Sequence, residues 1–164
     1  MPVLTRYRTV TAAGVIAAVL LVLIFGSPWY VDWVQNNTNE DTAGGWWLRL
    51  LAWPAWNIDA DQSLRSALGG IVRAILVVVF TAVFLILLAS TQLSRARGTV
   101  SQFFAGWASY VFAGAAAGLL SAWILADPSL LGAYQAAGSG AIYGLFTGWI
   151  VGAAALGGRA RGGL

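Results

Sequence analysis

The chain has 164 residues, of which 59% are apolar and only 9% charged, and its net charge is +3. A soluble domain carries about 25% charged residues, so the charges here are too few to cover a water-facing surface. With no Cys and no His, disulfides, thiol chemistry, thiolate or imidazole metal ligation and imidazole acid–base catalysis are excluded.

No motif calls for a cofactor. All nine basic residues are Arg. They gather at the ends of apolar runs rather than along one polar stripe, which argues against nucleic acid as a partner. The absence of Lys beside abundant Ala, Gly, Arg and Trp suggests a bacterial source of high G+C content.

Four apolar runs follow in chain order: 10–26, 67–90, 102–126 and 136–156. Crossing a hydrocarbon core takes about 20 helical residues, and each run is read as long enough to span. The short alternating segments of a membrane barrel are absent. The first run follows Arg6 and Arg8, as a signal peptide would. It ends Leu23-Ile24-Phe25-Gly26, without a small-x-small cleavage site, so it is read as an uncleaved span.

Charge sets the orientation. Arg6 and Arg8 precede the first run, Arg95 and Arg97 separate the second from the third, and Arg159 and Arg161 follow the fourth. All six acids lie in the other two connections: Asp32, Glu40, Asp41, Asp59, Asp61 and Asp127. The positive-inside rule places the arginine side in the cytoplasm. The expected fold is therefore an all-α integral membrane protein, a single membrane domain over residues 1–164. It has four transmembrane helices, cytoplasmic N and C termini and a tryptophan-rich external loop at 27–66. Arg73, inside the second run, is expected to snorkel to the outer interface, with an anion contact as the sharper alternative.

The external loop holds Trp29, Trp33, Trp46, Trp47, Trp53 and Trp56. Trp29-Tyr30 is placed to anchor the first span at the interface. Trp46, Leu50 and Trp53 recur at i, i+4 and i+7, widened by Trp47 and Leu51, which predicts a short helix with one apolar face. Gly44-Gly45 and Pro54 mark its expected limits. The helix either lies on the outer leaflet or folds back over the bundle. Its aromatic faces, with Arg49, Asp59 and Asp61, are candidate contacts for a ligand or partner. Asp59-x-Asp61 is a weak cation signal, and Asp61 reads better as the cap of the second span. Asn36-Asn37-Thr38 matches a sequon that carries no information in a bacterial chain. Asp127-Pro128 reads as a helix start. The helix that follows either breaks at Gly138-Ser139-Gly140 or runs straight into the fourth span.

The fourth run carries Gly140, Gly144, Gly148 and Gly152 at four-residue steps, a glycine zipper on one face. Such a row lets another backbone approach closely, which matters in lipid because water drives no association there. In the third run Gly106, Gly114, Gly118 and Ala122 form a matching row with Tyr110 in the gap. The two runs are expected to pack as a hairpin or across subunits. The bulky second run is expected to face lipid.

The resulting expectation is an accessory or structural subunit of a plasma-membrane complex, working through helix packing and loop contacts with the bilayer and partner subunits. The alternative is a small homo-oligomeric transporter or channel. No acid lies within a run, which counts against proton- and cation-coupled carriers. An anion or neutral solute would have Arg73, Ser109, Tyr110, Tyr143 and Thr147 as polar contacts. An enzyme using the loop carboxylates ranks last, since nothing fixes their geometry. The intramembrane Glu of the small multidrug carriers and the signatures of the fluoride channels are both missing.

Overall fold

The computed structural model describes residues 2–56, 64–92, 99–125 and 129–161. These residues form helices α1 (Pro2–Phe25), α2 (Pro28–Asn37), α3 (Ala43–Leu51), α4 (Leu64–Gln92), α5 (Thr99–Leu125) and α6 (Leu130–Arg161), and no strand. The loop residues Asp59 and Asp61, Asp127-Pro128 and the Arg95–Arg97 segment lie outside the described residues.

The four long helices close into a ring, in which α1 packs on α4 and α6 while α5 packs on the same two. Gly106 meets Gly152 and Gly118 meets Ala136, so α5 and α6 run antiparallel. At the other corner Gly14 meets Leu85, while the 54–56 strap touches both Gly26 and Gly70, so α1 and α4 are antiparallel too. One end of the bundle thus gathers the starts of α1 and α5 and the ends of α4 and α6. The opposite end carries α2, α3 and their tryptophans.

Three helices contain stretches long and apolar enough to cross a membrane: Ala67–Leu88, Val100–Ile124 and Leu130–Gly158. The first run meets that criterion only when Val10–Phe25 is joined to α2, across a 59° bend. The described residues therefore hold three such helices, or four if the bent pair counts as one span. Around the bundle, Ile16, Leu20, Ile75, Val79, Ile86, Phe112, Ile142 and Trp149 are all exposed. Soluble monomers rarely expose so continuous an apolar belt. As its bulk suggests, the second run is less enclosed than the third and fourth: 22% of its apolar stretch is buried, against 39% in α5 and 44% in α6.

The bend between α1 and α2 has a local cause. Pro28 has no N–H to donate back to Ile24, and its ring excludes the preceding helical turn. Ser27 Oγ donates to the freed Ile24 carbonyl at 2.8 Å and accepts from the Tyr30 N–H at 3.3 Å, capping the new helix. Ser-Pro is a helix-start signal, so α2 was readable where only an interfacial anchor at Trp29-Tyr30 is expected. The two residues also diverge: Trp29 is exposed, whereas Tyr30 is buried.

One further boundary differs from the sequence reading, and a second decides between its two alternatives. The interfacial helix begins before Gly44-Gly45, because the Thr42 side chain accepts from the Gly45 N–H and caps α3 from one residue earlier. The fourth span does not break at Gly138-Ser139-Gly140; α6 is one helix of 32 residues. Ser129 stands at its N-terminus, with Oγ accepting from the Gly132 N–H at 3.0 Å. The cost of helical Gly140 is offset by what its missing side chain permits, described next.

Candidate functional site: the capped aromatic core

The small residues of α5 and α6 face each other within one chain. A Cβ at Gly144 would lie 2.6 Å from Val111 Cα and one at Gly148 2.8 Å from Trp107 Cδ1; at Gly152 it would lie 2.7 Å from the Phe103 carbonyl. Gly114 and Gly140 each approach the other's carbonyl so closely that neither position admits a side chain, and Gly118 does the same against Ala136. Both glycine rows are thus committed to the hairpin. Neither leaves a groove along this seam for a second subunit.

That close approach sets the spacing for the one position where the α5 row is not small. Tyr110 fills the gap opposite Tyr143, and their hydroxyls bond at 2.8 Å with both residues fully buried. A lone buried hydroxyl is costly, whereas a bonded pair is tolerated. The other buried hydroxyls are satisfied by their own helices: Thr81 donates to Val77, Ser109 to Ala105, Ser121 to Gly118 and Thr147 to Tyr143. These are the side chains that would have to face a solute in a passage, and their protons already point at backbone carbonyls.

Over this core lies Trp53. After α3 ends, the Ala52, Trp53 and Ala55 N–H groups donate to Arg49, Leu50 and Ala52 carbonyls, turning the chain inward. Trp53 then stacks on Tyr143, with centroids 5.1 Å apart and planes inclined by 24°. It fits because Gly140 is beneath it: a Cβ there would stand 3.0 Å from Trp53 Cη2. Pro54 is buried, and Trp56 straps the turn to α1, its backbone N–H donating to Gly26 and its indole to Val22 at 3.2 Å. Gly26 and Gly70 are small for the same reason, since a Cβ would strike the Pro54 carbonyl at 2.7 Å and the Ala55 carbonyl at 2.5 Å respectively. Beneath Trp56, between α1 and α4, lies a wholly apolar groove of about 450 Å³ lined by Val22, Ile71, Ala74 and Val78 among others.

Arg73 completes the constellation. Its guanidinium carbon lies 5.3 Å from the Trp53 ring centroid, a cation–π contact, and its buried Nε has no hydrogen-bond partner among the described residues. Snorkelling alone would leave the group free in the interface; here its guanidinium carbon lies over the Trp53 ring.

The remaining candidates go elsewhere. Arg49 clamps the cap: Nη1 bonds Glu40 at 3.2 Å, Nη2 the Thr38 carbonyl at 2.7 Å and Nε the Thr38 hydroxyl at 3.2 Å. Trp47 packs against the small cluster of Tyr30, Val34 and Leu51, where Tyr30 donates its hydroxyl to the Leu48 carbonyl at 2.9 Å. Burial raises the Tyr30 phenol above its ordinary range. Trp46 meets Phe146 edge-on at 5.0 Å, seating α3 on α6. The helix is therefore folded back over the bundle. Of the residues expected to form an aromatic platform, Arg49 and Trp53 have different partners, and Asp59 and Asp61 lie outside the described residues. Instead Trp53, Arg73, Tyr110 and Tyr143 come together from three elements of the chain and the turn after α3. Among the described residues no group of three acids could hold a metal ion. Comparison with protein-family models, with curated proteins and with solved structures finds no match to this chain.

Proposed function

We propose that the protein is an accessory or structural subunit of a complex in a bacterial plasma membrane. It spans the bilayer four times, with both termini and the arginine clusters in the cytoplasm and the α2–α3 cap outside. Four observations support this membrane reading: the apolar belt, the length of the helices, the arginine clusters at one end of the chain's alternation and the tryptophans at the other.

The observation that carries the subunit reading is the internal satisfaction of the bundle's buried hydroxyls. An anion or neutral-solute passage needs donors that face it. The buried hydroxyls of Thr81, Ser109, Ser121 and Thr147 are turned to their own helices, and the two tyrosines are bonded to each other. What the molecule leaves open is its outside. Trp29 is 73% exposed and Trp33 41%, with Asp32 between them on α2. Aromatic residues on a rigid, capped surface suit contact with a partner subunit.

Two measurements on the full chain test this. Extraction of native membranes in mild detergent is expected to recover a stoichiometric partner, lost on Trp29→Ala/Trp33→Ala with the bundle still folded. Liposomes carrying the purified chain are expected to show no flux of chloride, phosphate or glycerol above empty vesicles. A homo-oligomer without partner that conducts any of these, and stops when Arg73 is replaced, would establish the transport alternative instead.

A further inference from the structure

We infer that Arg73 and Trp53 form a binding site for a phosphate-class oxyanion at the tryptophan end of the bundle. The inference rests on the membrane reading of the fold but not on the existence of a partner subunit. A guanidinium is always charged and carries five donors in a planar fork. In an apolar segment such a charge persists when it is paired or reaches a polar layer. Here the carbon sits over Trp53, and among the described residues nothing accepts from the buried Nε. The ring contact neutralises part of the charge through its face but takes none of the N–H donors.

No carboxylate among the described residues serves as counter-ion. Glu40 is held by Arg49, and Asp32 and Asp41 are exposed on the cap. Within α4 the Arg73 position lies less than two turns from Ala67, where the apolar stretch begins. That is about 9 Å below the start of the stretch, a depth from which the long arginine side chain reaches back to the headgroup layer, where phosphate is the abundant oxyanion. Arg pairs with phosphate through two parallel N–H···O bonds, and a Trp53 ring under the guanidinium carbon takes up none of those donors. The same chemistry would hold a lipid phosphodiester or free inorganic phosphate.

The test uses the purified full chain in detergent. Native mass spectrometry is run after incubation with phosphatidylglycerol or phosphatidylcholine. In parallel, tryptophan-fluorescence melting is followed with phosphatidylglycerol or with inorganic phosphate. The expected result is retained phosphatidylglycerol and a higher melting point in the wild type. Both are lost in Arg73→Gln, whose retention falls about tenfold or more, as for a charge-assisted bond removed. Arg73→Lys and Trp53→Phe are expected to fall between. Stabilisation by inorganic phosphate that also needs Arg73 would identify the soluble anion as the ligand. Retention unchanged in Arg73→Gln, or no anion dependence in either arm, would overturn the site. So would an intrachain ion pair, seen as equal destabilisation by Asp59→Asn/Asp61→Asn and by Arg73→Gln without any response to anions. Since Arg73→Gln removes a buried charge, its melting without ligand is expected to match or exceed the wild type, which keeps misfolding from mimicking lost binding.

Discussion

Alanine at position 144 places a methyl group where α5 and α6 already touch. The new Cβ would stand 2.6 Å from Val111 Cα and 2.7 Å from the Tyr110 carbonyl oxygen. Carbon atoms rest at about 3.5–4.0 Å, so the helices must separate by about 1 Å or tilt. Overpacking of this kind costs about 1–3 kcal/mol. Replacing a helical glycine by alanine also returns about 1 kcal/mol of backbone propensity, so the net loss is about 0–2 kcal/mol. Gly138 supplies the control in the same helix, because a Cβ there meets nothing within 4 Å. Gly138→Ala should keep the propensity gain alone and stabilise by about 1 kcal/mol. The two chemically identical changes should thus differ by the packing term, about 1–3 kcal/mol. Reversible unfolding in mixed anionic and non-ionic detergent, followed by tryptophan fluorescence and circular dichroism, measures both. Equal shifts at the two positions, or a stabilised Gly144→Ala, would refute the close α5–α6 seam.

The tyrosine pair should behave as a unit. Tyr110→Phe and Tyr143→Phe each strand one buried hydroxyl and should each cost about 1–3 kcal/mol, while the double variant should cost less than their sum; an additive cycle would deny the bond. Arg49→Ala should loosen the turn that joins α2 to α3, raising amide exchange at residues 38–42 with little change in bundle melting; the partly exposed Glu40 pair contributes little of this, and the bonds to Thr38 most. The raised Tyr30 phenol predicts an alkaline limit for the cap. With the folded pKa above the unfolded value of about 10, its stabilisation is complete at lower pH and disappears as pH rises through the folded value. Phenolate absorbance should report a late-titrating tyrosine that Tyr30→Phe removes.

How far the sequence reaches depends on the kind of signal. Helix class and the α5–α6 hairpin follow from apolar length and from glycines at four-residue steps, which fix one face of a helix whatever surrounds it. The same spacing could not say whether that face meets its own chain or another. The answer comes from the structure, where the glycines of both rows meet within the chain and Tyr110 bonds Tyr143. The run-on of α6 through Gly138-Ser139-Gly140 defeats a local rule, because Gly140 is small for Gly114 and Trp53 and not for a turn. The capped core was legible only in part. Arg73 and Trp53 each stand out by residue type, but they are distant in sequence and meet through the inward turn at 52–56. No periodicity encodes that meeting. Ser27-Pro28 does encode the start of α2, and it is masked by the apolar run just before it.

The absence of native cysteine makes the central claim directly testable by single-cysteine labelling in intact cells. Cysteines introduced by Asp41→Cys, Ala96→Cys and Gly163→Cys are probed with a membrane-impermeant maleimide before and after permeabilisation. Four spans with arginines inside predict that only Asp41→Cys reacts in intact cells, and that the other two react only once the membrane is opened. Labelling of Ala96→Cys or Gly163→Cys from outside, or a chain recovered in the soluble fraction without detergent, would contradict it.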